Sequence, residues 1–314
     1  MVSFAAGAAI LAGAAPLPFA LCTVFLFAGP HQWVELRYFL SRLPSKFGPV
    51  RGFFQVSFAG LVFLISSYIL LAFLRQQEVL SGEALYFSYA AWHTLFMLWV
   101  VVLAYLRSRD NKRVRWLWIL PAAFVFCALA WIGPCWSGLV LVYFHPIIGL
   151  WILDRELRRS RPSWVQPYRK CLLLVPVALL SLYFSLSSTP SLDTSEDLAW
   201  QATRIAGAGI LNNISSHLLV SSHSFLEALH YGAWVLAIPI ATGGWRKWLP
   251  ERLPIVRSSP RLRCPVAVVF AASTFALLGL WLAFALNYSA SIDIYFIAAV
   301  GHALAEFPFL LWLL

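Results

Sequence analysis

Charged and polar residues fall in short clusters between long apolar runs. Nine runs stand out, at 4–29, 53–74, 80–106, 117–133, 138–153, 171–187, 225–241, 264–286 and 292–314. They are rich in Leu, Phe, Ala and Trp, and none alternates apolar with polar residues. A membrane-crossing strand would alternate over about ten positions, whereas a crossing helix needs about 20 predominantly apolar residues. The runs therefore predict transmembrane helices. Asp154 and Arg155 close the fifth run early. Pro16 and Pro18 lie inside the first and predict a kink there. No Lys or Arg precedes the first run, so it reads as a span and not as a signal peptide.

Composition supports the same reading. The chain is 61% hydrophobic and 11% charged, with a mean hydropathy of +0.77; a soluble domain carries about 25% charged residues. The expected fold is all-α: one polytopic helix bundle over residues 1–314 with about nine spans. Call the connections loops one to eight. Loop one carries Arg37, Arg42, Lys46 and Arg51; loop three carries Arg107, Arg109, Lys112, Arg113 and Arg115. Loop five runs from Arg155 to Lys170, and loop seven carries Arg246, Lys247, Arg252, Arg257, Arg261 and Arg263. Only Arg75 and Arg204 lie elsewhere, so odd loops hold 21 of the 23 basic residues. The positive-inside rule then places odd loops and the C-terminus in the cytoplasm and the N-terminus outside. This fits a multi-pass protein of a plasma or inner membrane. The formal charge of +10 reads as loops facing anionic lipid, and no nucleic-acid partner is implied.

Residues 188–224 form the one long non-cytoplasmic connection. They hold Asp193, Glu196 and Asp197, then an Ala/Gly/Ile stretch, then Asn212, Asn213 and His217. Its middle predicts a helix lying on, or dipping into, the outer leaflet. Cys22, Cys127, Cys135, Cys171 and Cys264 form no Cys-x-x-Cys pair and are expected to be small buried hydrophobes. Gly207-Ala-Gly209 has no strand before it and is no dinucleotide fingerprint.

The candidate chemistry is carried by His and Glu. His223, Glu227 and His230 follow one another at steps of four and three, which puts them on one helix face. Glu-x-x-His is a spacing by which helix bundles offer two ligands to one metal ion. His302 with Glu306 and His31 with Glu35 repeat the four-residue step of His223 with Glu227, and His93 and His145 stand alone in other runs. Random placement of seven His and 13 acidic residues would give about 0.3 such pairs; three occur. The competing reading is plain: a lone intramembrane His can hydrogen-bond across a helix interface, and a pair can bond along one face. Against it, ionisable groups inside a membrane are expensive and mark functional sites.

The expected site is a metal centre. His93, Glu227, His230 and His302 are its first candidates; Glu306, His145, His223, His31 and Glu35 are further ligands or groups that orient them. By this topology His230 falls in the outer third of its span, with His93, His145 and His302 nearer the middle of theirs. His31 and Glu35 lie at the inner end of the first span, and join only if that helix breaks at Pro30 or is buried in the bundle. Trp92 and Trp234 are candidates to line a pocket. Asp154 and Glu156, beside Arg155 and Arg158, read as an interfacial charge cluster. Imidazoles with carboxylates suit iron, with zinc as the other candidate, and the apolar setting suits a small-molecule substrate delivered from membrane lipid.

Gly29-Pro30-His31 at the end of an early span, with more His in later spans, resembles the Brp/Blh family of membrane β-carotene dioxygenases. The resemblance implies iron held by intramembrane histidines, an oxygenase reaction and a carotenoid substrate. It carries over to His31 alone. The family's Pro-His is followed by Gly and a nearby Asp, whereas here Gln32 and Trp33 follow and the next acid is Glu35. The leading expectation is thus a non-haem iron oxygenase acting on an isoprenoid or lipid, with no catalytic residue assigned beyond the ligands. A haem- or chlorophyll-binding subunit using His93, His145 or His302, and a transporter relaying protons through His/Glu pairs, are the alternatives.

Overall fold

The computed structural model describes residues 2–111, 116–244 and 249–313, and all regular structure among them is helical. Lys112, Arg113, Arg115, Arg246 and Lys247, which contribute to the loop-charge pattern, lie outside the described residues. The main helices are α1 (Val2–Ala14), α2 (Pro16–Arg42), α3 (Arg51–Gln76), α4 (Gly82–Asp110) and α5 (Ile119–Ile132). They continue with α6 (Pro134–Ser160), α7 (Val165–Leu172), α8 (Leu174–Leu186), α9 (Asp197–Ile205) and α10 (Ser216–Gly232). A π-helical turn, Ala233–Ala237, leads into α11 (Ile238–Thr242), followed by α12 (Pro254–Ser258), α13 (Arg263–Leu286) and α14 (Tyr288–Leu313).

Among the described residues, eight helical stretches are long and apolar enough to cross a membrane. The 117–133 run forms α5, of 14 residues, about 21 Å long against a hydrocarbon core of about 30 Å. Three expected boundaries change. The 4–29 run is not one kinked span: it breaks at Ala15, which leaves helical geometry (φ −145°, ψ 66°), and Pro16 opens α2 as a first-turn proline. The fifth run continues as helix through Asp154 and Arg155 to Ser160, with Asp154 paired to Arg158 and Arg169. The seventh begins at Ser216, so the long connection ends there and not at 224. Its middle does form a helix, α9. None of the five cysteines is buried; Cys22, Cys135 and Cys264 are exposed. An exposed cysteine in an apolar helix is as compatible with lipid as a buried one is with a core.

The chain divides into two compact units, Met1–Ser45 with Val142–Ile292, and Lys46–Leu141 with Asp293–Leu314. In the first, α10 is central. His217 Nε2 lies 3.2 Å from the Gly13 carbonyl oxygen, while the Phe4 ring closes on Gly232, where a Cβ would meet it at 2.6 Å. α1 therefore runs antiparallel to α10. Ala20 packs with Leu219 and Val220, and His31 meets His230 and Tyr231, so α2 runs parallel to α10. The break at Ala15 thus makes α1 and α2 a helical hairpin. On another side of α2, Trp33 Nε1 donates to Thr274 Oγ1 at 2.9 Å and Trp281 Nε1 to the Phe25 carbonyl at 2.9 Å, which pins α13. Tyr143 donates to the Ala206 carbonyl at 3.0 Å and ties down the end of α9. In the outer connection, the Ser195 backbone N–H and hydroxyl donate to Asp193 and hold its carboxyl below the ordinary range.

The second unit packs α3, α4, α5 and the body of α14 around Phe53, Leu64, Trp92, Phe96, Leu103, Phe126 and Leu304. Gly60 leaves room for the Trp99 indole, which donates to the Val56 carbonyl at 3.0 Å. Trp92 is likewise buried and donates to the Leu64 carbonyl at 3.0 Å, so it is a packing residue of α3 against α4.

Asp154 and Glu156 are both buried, unlike an interfacial cluster. Glu156, 1% exposed, accepts the Tyr38 hydroxyl at 3.0 Å and pairs with Arg42. Arg169 grips Asp154 with two nitrogens, at 2.8 and 3.2 Å, and Arg158 joins it at 2.9 Å. Removing one member of a buried pair leaves the other charge uncompensated, at about 3–5 kcal/mol. Glu156→Ala is expected to destabilise the first unit by about that amount, read as a lowered unfolding midpoint in detergent. Glu251→Ala, whose pair with Arg263 is exposed, should change stability by about 1 kcal/mol or less.

Candidate metal centre

The site is built on three helices of the first unit. α10 and its continuation form a 27-residue stretch, Ser216–Thr242, and His230 is its fifteenth residue, at mid-helix and not in an outer third. His31 is the sixteenth of the 27 residues of α2, and His145 the twelfth of the 27 of α6. α2 does not break at Pro30. It is buried instead: His31 is 0% and Glu35 2% exposed.

These helices bring three imidazoles together. The His145 and His230 ring centroids are 4.4 Å apart, and those of His31 and His230 are 5.3 Å apart. His230 presents ring nitrogen within 4.8 Å of one on His31, and likewise of one on His145. Nitrogens that share one ion at bond lengths of about 2.0–2.1 Å lie about 3–4 Å apart, so each of the two His230 pairings lies near ligation spacing. His31 Nδ1 lies 3.0 Å from the Phe27 carbonyl oxygen. A carbonyl only accepts, so Nδ1 carries the proton and Nε2 keeps its lone pair. Metal-binding histidines are oriented by this kind of bond.

Local sequence makes the approach possible. Pro30 and Pro146 flank His31 and His145, and each removes one backbone bond from its helix, to the carbonyls of Leu26 and Val142. Gly149, one turn beyond His145, has no side chain where the His230 ring sits: a Cβ there would lie 2.7 Å from His230 Nδ1 and 3.1 Å from Trp234 Nε1. The π-helical turn begins three residues after His230; such turns are frequent at functional sites. Trp234 sits in it, 0% exposed, 6.5 Å from the His230 ring. Trp234 is therefore a wall of the site. Tyr231 closes another side, 4.5 Å from His31.

The other sequence candidates fall as follows. His223 Nδ1 is 3.7 Å from Glu227 Oε2, and the His223 ring packs on Tyr143 at 5.9 Å. These two residues form a pair of their own, further along α10 towards its start. Glu35 is buried on α2, one turn beyond His31. In the second unit, His93 Nδ1 bonds the Tyr89 carbonyl at 2.8 Å and its ring packs against Trp92 and Phe126. Also in that unit, His302 lies 3.4 Å from the Ala298 carbonyl, and Glu306, one turn on, is 0% exposed. Tyr38 and Gly149 were not candidates from sequence. Gly149 had one legible signal, a glycine four residues after a histidine in an apolar run.

No protein-family model matches the chain, and no curated protein or solved structure matches it significantly. The argument for this site therefore rests on its own geometry. Imidazoles are a donor type suited to a divalent zinc, iron or copper ion. Gly149→Ala is expected to push the His230 ring aside and weaken metal binding by about 10–100-fold, as when a ligand loses its support, with helix content by circular dichroism retained. Gly279→Ala, where a Cβ meets nothing within 4 Å, should leave metal binding unchanged.

Proposed function

We propose that the chain is a multi-pass membrane metalloenzyme, a non-haem iron oxygenase acting on an apolar isoprenoid or lipid substrate at an intramembrane histidine site. The observation that carries this reading is the meeting of the buried His31 and His230 with the half-buried His145, from three separate helices of one unit. Polar rings brought together in an apolar bundle are expensive unless something they bind compensates. Imidazoles alone leave a divalent ion uncompensated in a low dielectric, and we assign the compensating carboxylate to Glu35, buried one turn from His31 on the same helix. Histidines with one carboxylate are the set that holds ferrous iron with open positions for oxygen chemistry. The Pro30-His31 resemblance to the Brp/Blh family supports the same assignment, since His31 is a member of the cluster.

The topology proposed with it has nine crossings. Loops one, three, five and seven face the cytoplasm with the C-terminus, and the turn at Ala15 and the 188–215 connection face outward. Loops three and five share a side only if both α5 and α6 cross. α5 then spans as a short helix flanked by Trp116 and Trp118, at the level where such residues anchor. Since α1 runs back along α10, Phe4 lies level with Gly232.

Elemental analysis of purified wild-type protein should find about one iron per chain. His230→Ala and His145→Ala should lower affinity by more than about 100-fold, beyond what loss of an outer partner costs, while His223→Ala should change it less than about tenfold. Iron-dependent oxygen consumption with an added isoprenoid in nanodiscs tests the reaction. A Soret band, or wild-type protein free of metal after growth in iron and zinc, would falsify the proposal.

Reporter fusions check the topology separately. Fusions at Arg109, Arg161 and Arg257 should read cytoplasm, and a fusion at Asn212 should read the opposite side. A cytoplasmic reading at Asn212 removes the nine-crossing scheme.

A further inference from the structure

A chain of oxidisable aromatic residues leads from the histidine cluster to the charged end of α2. The Trp234 ring lies 6.5 Å from that of His230, and the Tyr38 ring 5.5 Å from that of Trp234. Both Trp234 and Tyr38 are 0% exposed. The Tyr38 hydroxyl donates to Glu156 Oε2 at 3.0 Å. The Arg42 guanidinium stands 4.9 Å over the Tyr38 ring and pairs with Glu156. Arg42 closes α2 and its side chain is 14% exposed, so the chain ends where an aqueous donor can reach it.

From this arrangement we propose that Trp234 and Tyr38 form an electron relay serving the histidine cluster. This rests on the metal reading given above. Tryptophan and tyrosine are the two aromatic side chains that lose an electron at potentials a protein can use, whereas phenylalanine is not. Contacts to phenylalanine do not extend the relay, as of Tyr231 with Phe27 at 6.5 Å and of Trp234 with Phe39 at 5.6 Å. Oxidised tyrosine is a strong acid, so a buried tyrosine carries an electron only if its proton has a place to go. Glu156 is that place. The Arg42 cation beside the ring disfavours a charged radical, which couples the electron to the proton.

The step balances. One electron passes from Tyr38 through Trp234 to an oxidised transition-metal ion held by His31, His145 and His230, and the ion is reduced by one unit. The phenolic proton moves to Glu156 Oε2, leaving a neutral tyrosyl radical and a neutral carboxylic acid. A one-electron donor from the aqueous phase then reduces Tyr38, and the proton returns from Glu156. The relay gives a centre sealed in lipid a route for electrons from water.

Pulsed ultraviolet photoionisation of the full chain in nanodiscs tests the relay without any metal. Tryptophanyl radicals are made directly, and their transfer to tyrosine is followed by transient absorption and by electron paramagnetic resonance on frozen samples. Tyr68 beside Trp92 at 5.3 Å and Tyr105 beside Trp116 at 5.5 Å will also give tyrosyl signal, so wild type should show one tyrosyl component that is missing in Tyr38→Phe and in Trp234→Phe while the rest remains. That component should form more slowly in Glu156→Gln and in deuterated buffer. Phe39→Leu, which changes the dead-end branch, should keep it. Equal tyrosyl yield in wild type, Tyr38→Phe and Trp234→Phe overturns the proposal, as does a Glu156→Gln chain that folds and shows no change in rate. A second arm loads the chain with ferrous iron and adds peroxide. The same tyrosyl signal, lost in Tyr38→Phe, is expected; its absence while iron is bound overturns the link to the cluster. Failure of the metal reading looks different: wild type holds no iron, yet the photochemical signal remains.

Discussion

The meeting of His31, His145 and His230 sets the demand that the first unit is built to satisfy. An imidazole inside an apolar bundle loses its water and must be given a proton partner and a counter-group. Three helix backbones must also approach closely enough for the rings to touch. Gly149 permits one approach by leaving the volume that the His230 ring fills. The Phe27 carbonyl fixes the proton of His31 on Nδ1. Trp234 and Tyr231 then fill the sides with rigid rings. His31 then carries its lone pair on Nε2, and neutral imidazole is the state in which histidine binds metal. The π-helical turn after His230 shifts the phase of the helix by part of a turn, so Trp234 need not follow the spacing of a regular α-helix.

The ends of these helices are held by a different device. Tyr38, Arg42 and Glu156 join α2 to α6, and Asp154 joins α6 to the segment carrying Arg169. In the second unit, Arg107 donates to the carbonyls of Leu311 and Trp312 and stacks on the Trp312 ring. Cations near the last carbonyls of a helix satisfy acceptors that have no intrahelical partner and oppose the negative end of the macrodipole. The histidines lie at mid-helix instead. Stability and site chemistry are thus separated along each helix, ions at the ends and imidazoles in the middle. Tyr38 connects the two zones.

Helical class and membrane character were legible from hydropathy alone, since apolar runs of this length have few other solutions. Helix ends were less so. Asp154 and Arg155 looked like terminators, but hydropathy does not see that Asp154 will find Arg169 fifteen residues later. Ala15 looked like a kink because a proline in an apolar run bends a helix in the usual case; only its packing shows α1 turned back on α10. The site was half legible. His31, His145 and His230 were all candidates, yet His230 was grouped with His223 and Glu227 by helical spacing, and the structure pairs those two with each other. Spacing reports which residues share a face, not which neighbour that face meets. Gly149 and Tyr38 were invisible for the same reason: their roles exist only across a helix interface.

The division of α10 has a chemical consequence. His223 and Glu227 lie one turn apart, and protonation of the imidazole makes them an ion pair that needs nothing further. His230, three residues beyond Glu227, faces α2 and α6 and lies against His31, His145 and Tyr231. A metal ion at this cluster would accept several lone pairs at once where a proton accepts one. Two histidines on one helix, seven residues apart, thus sit in different settings: one beside a carboxylate, the other against two imidazoles.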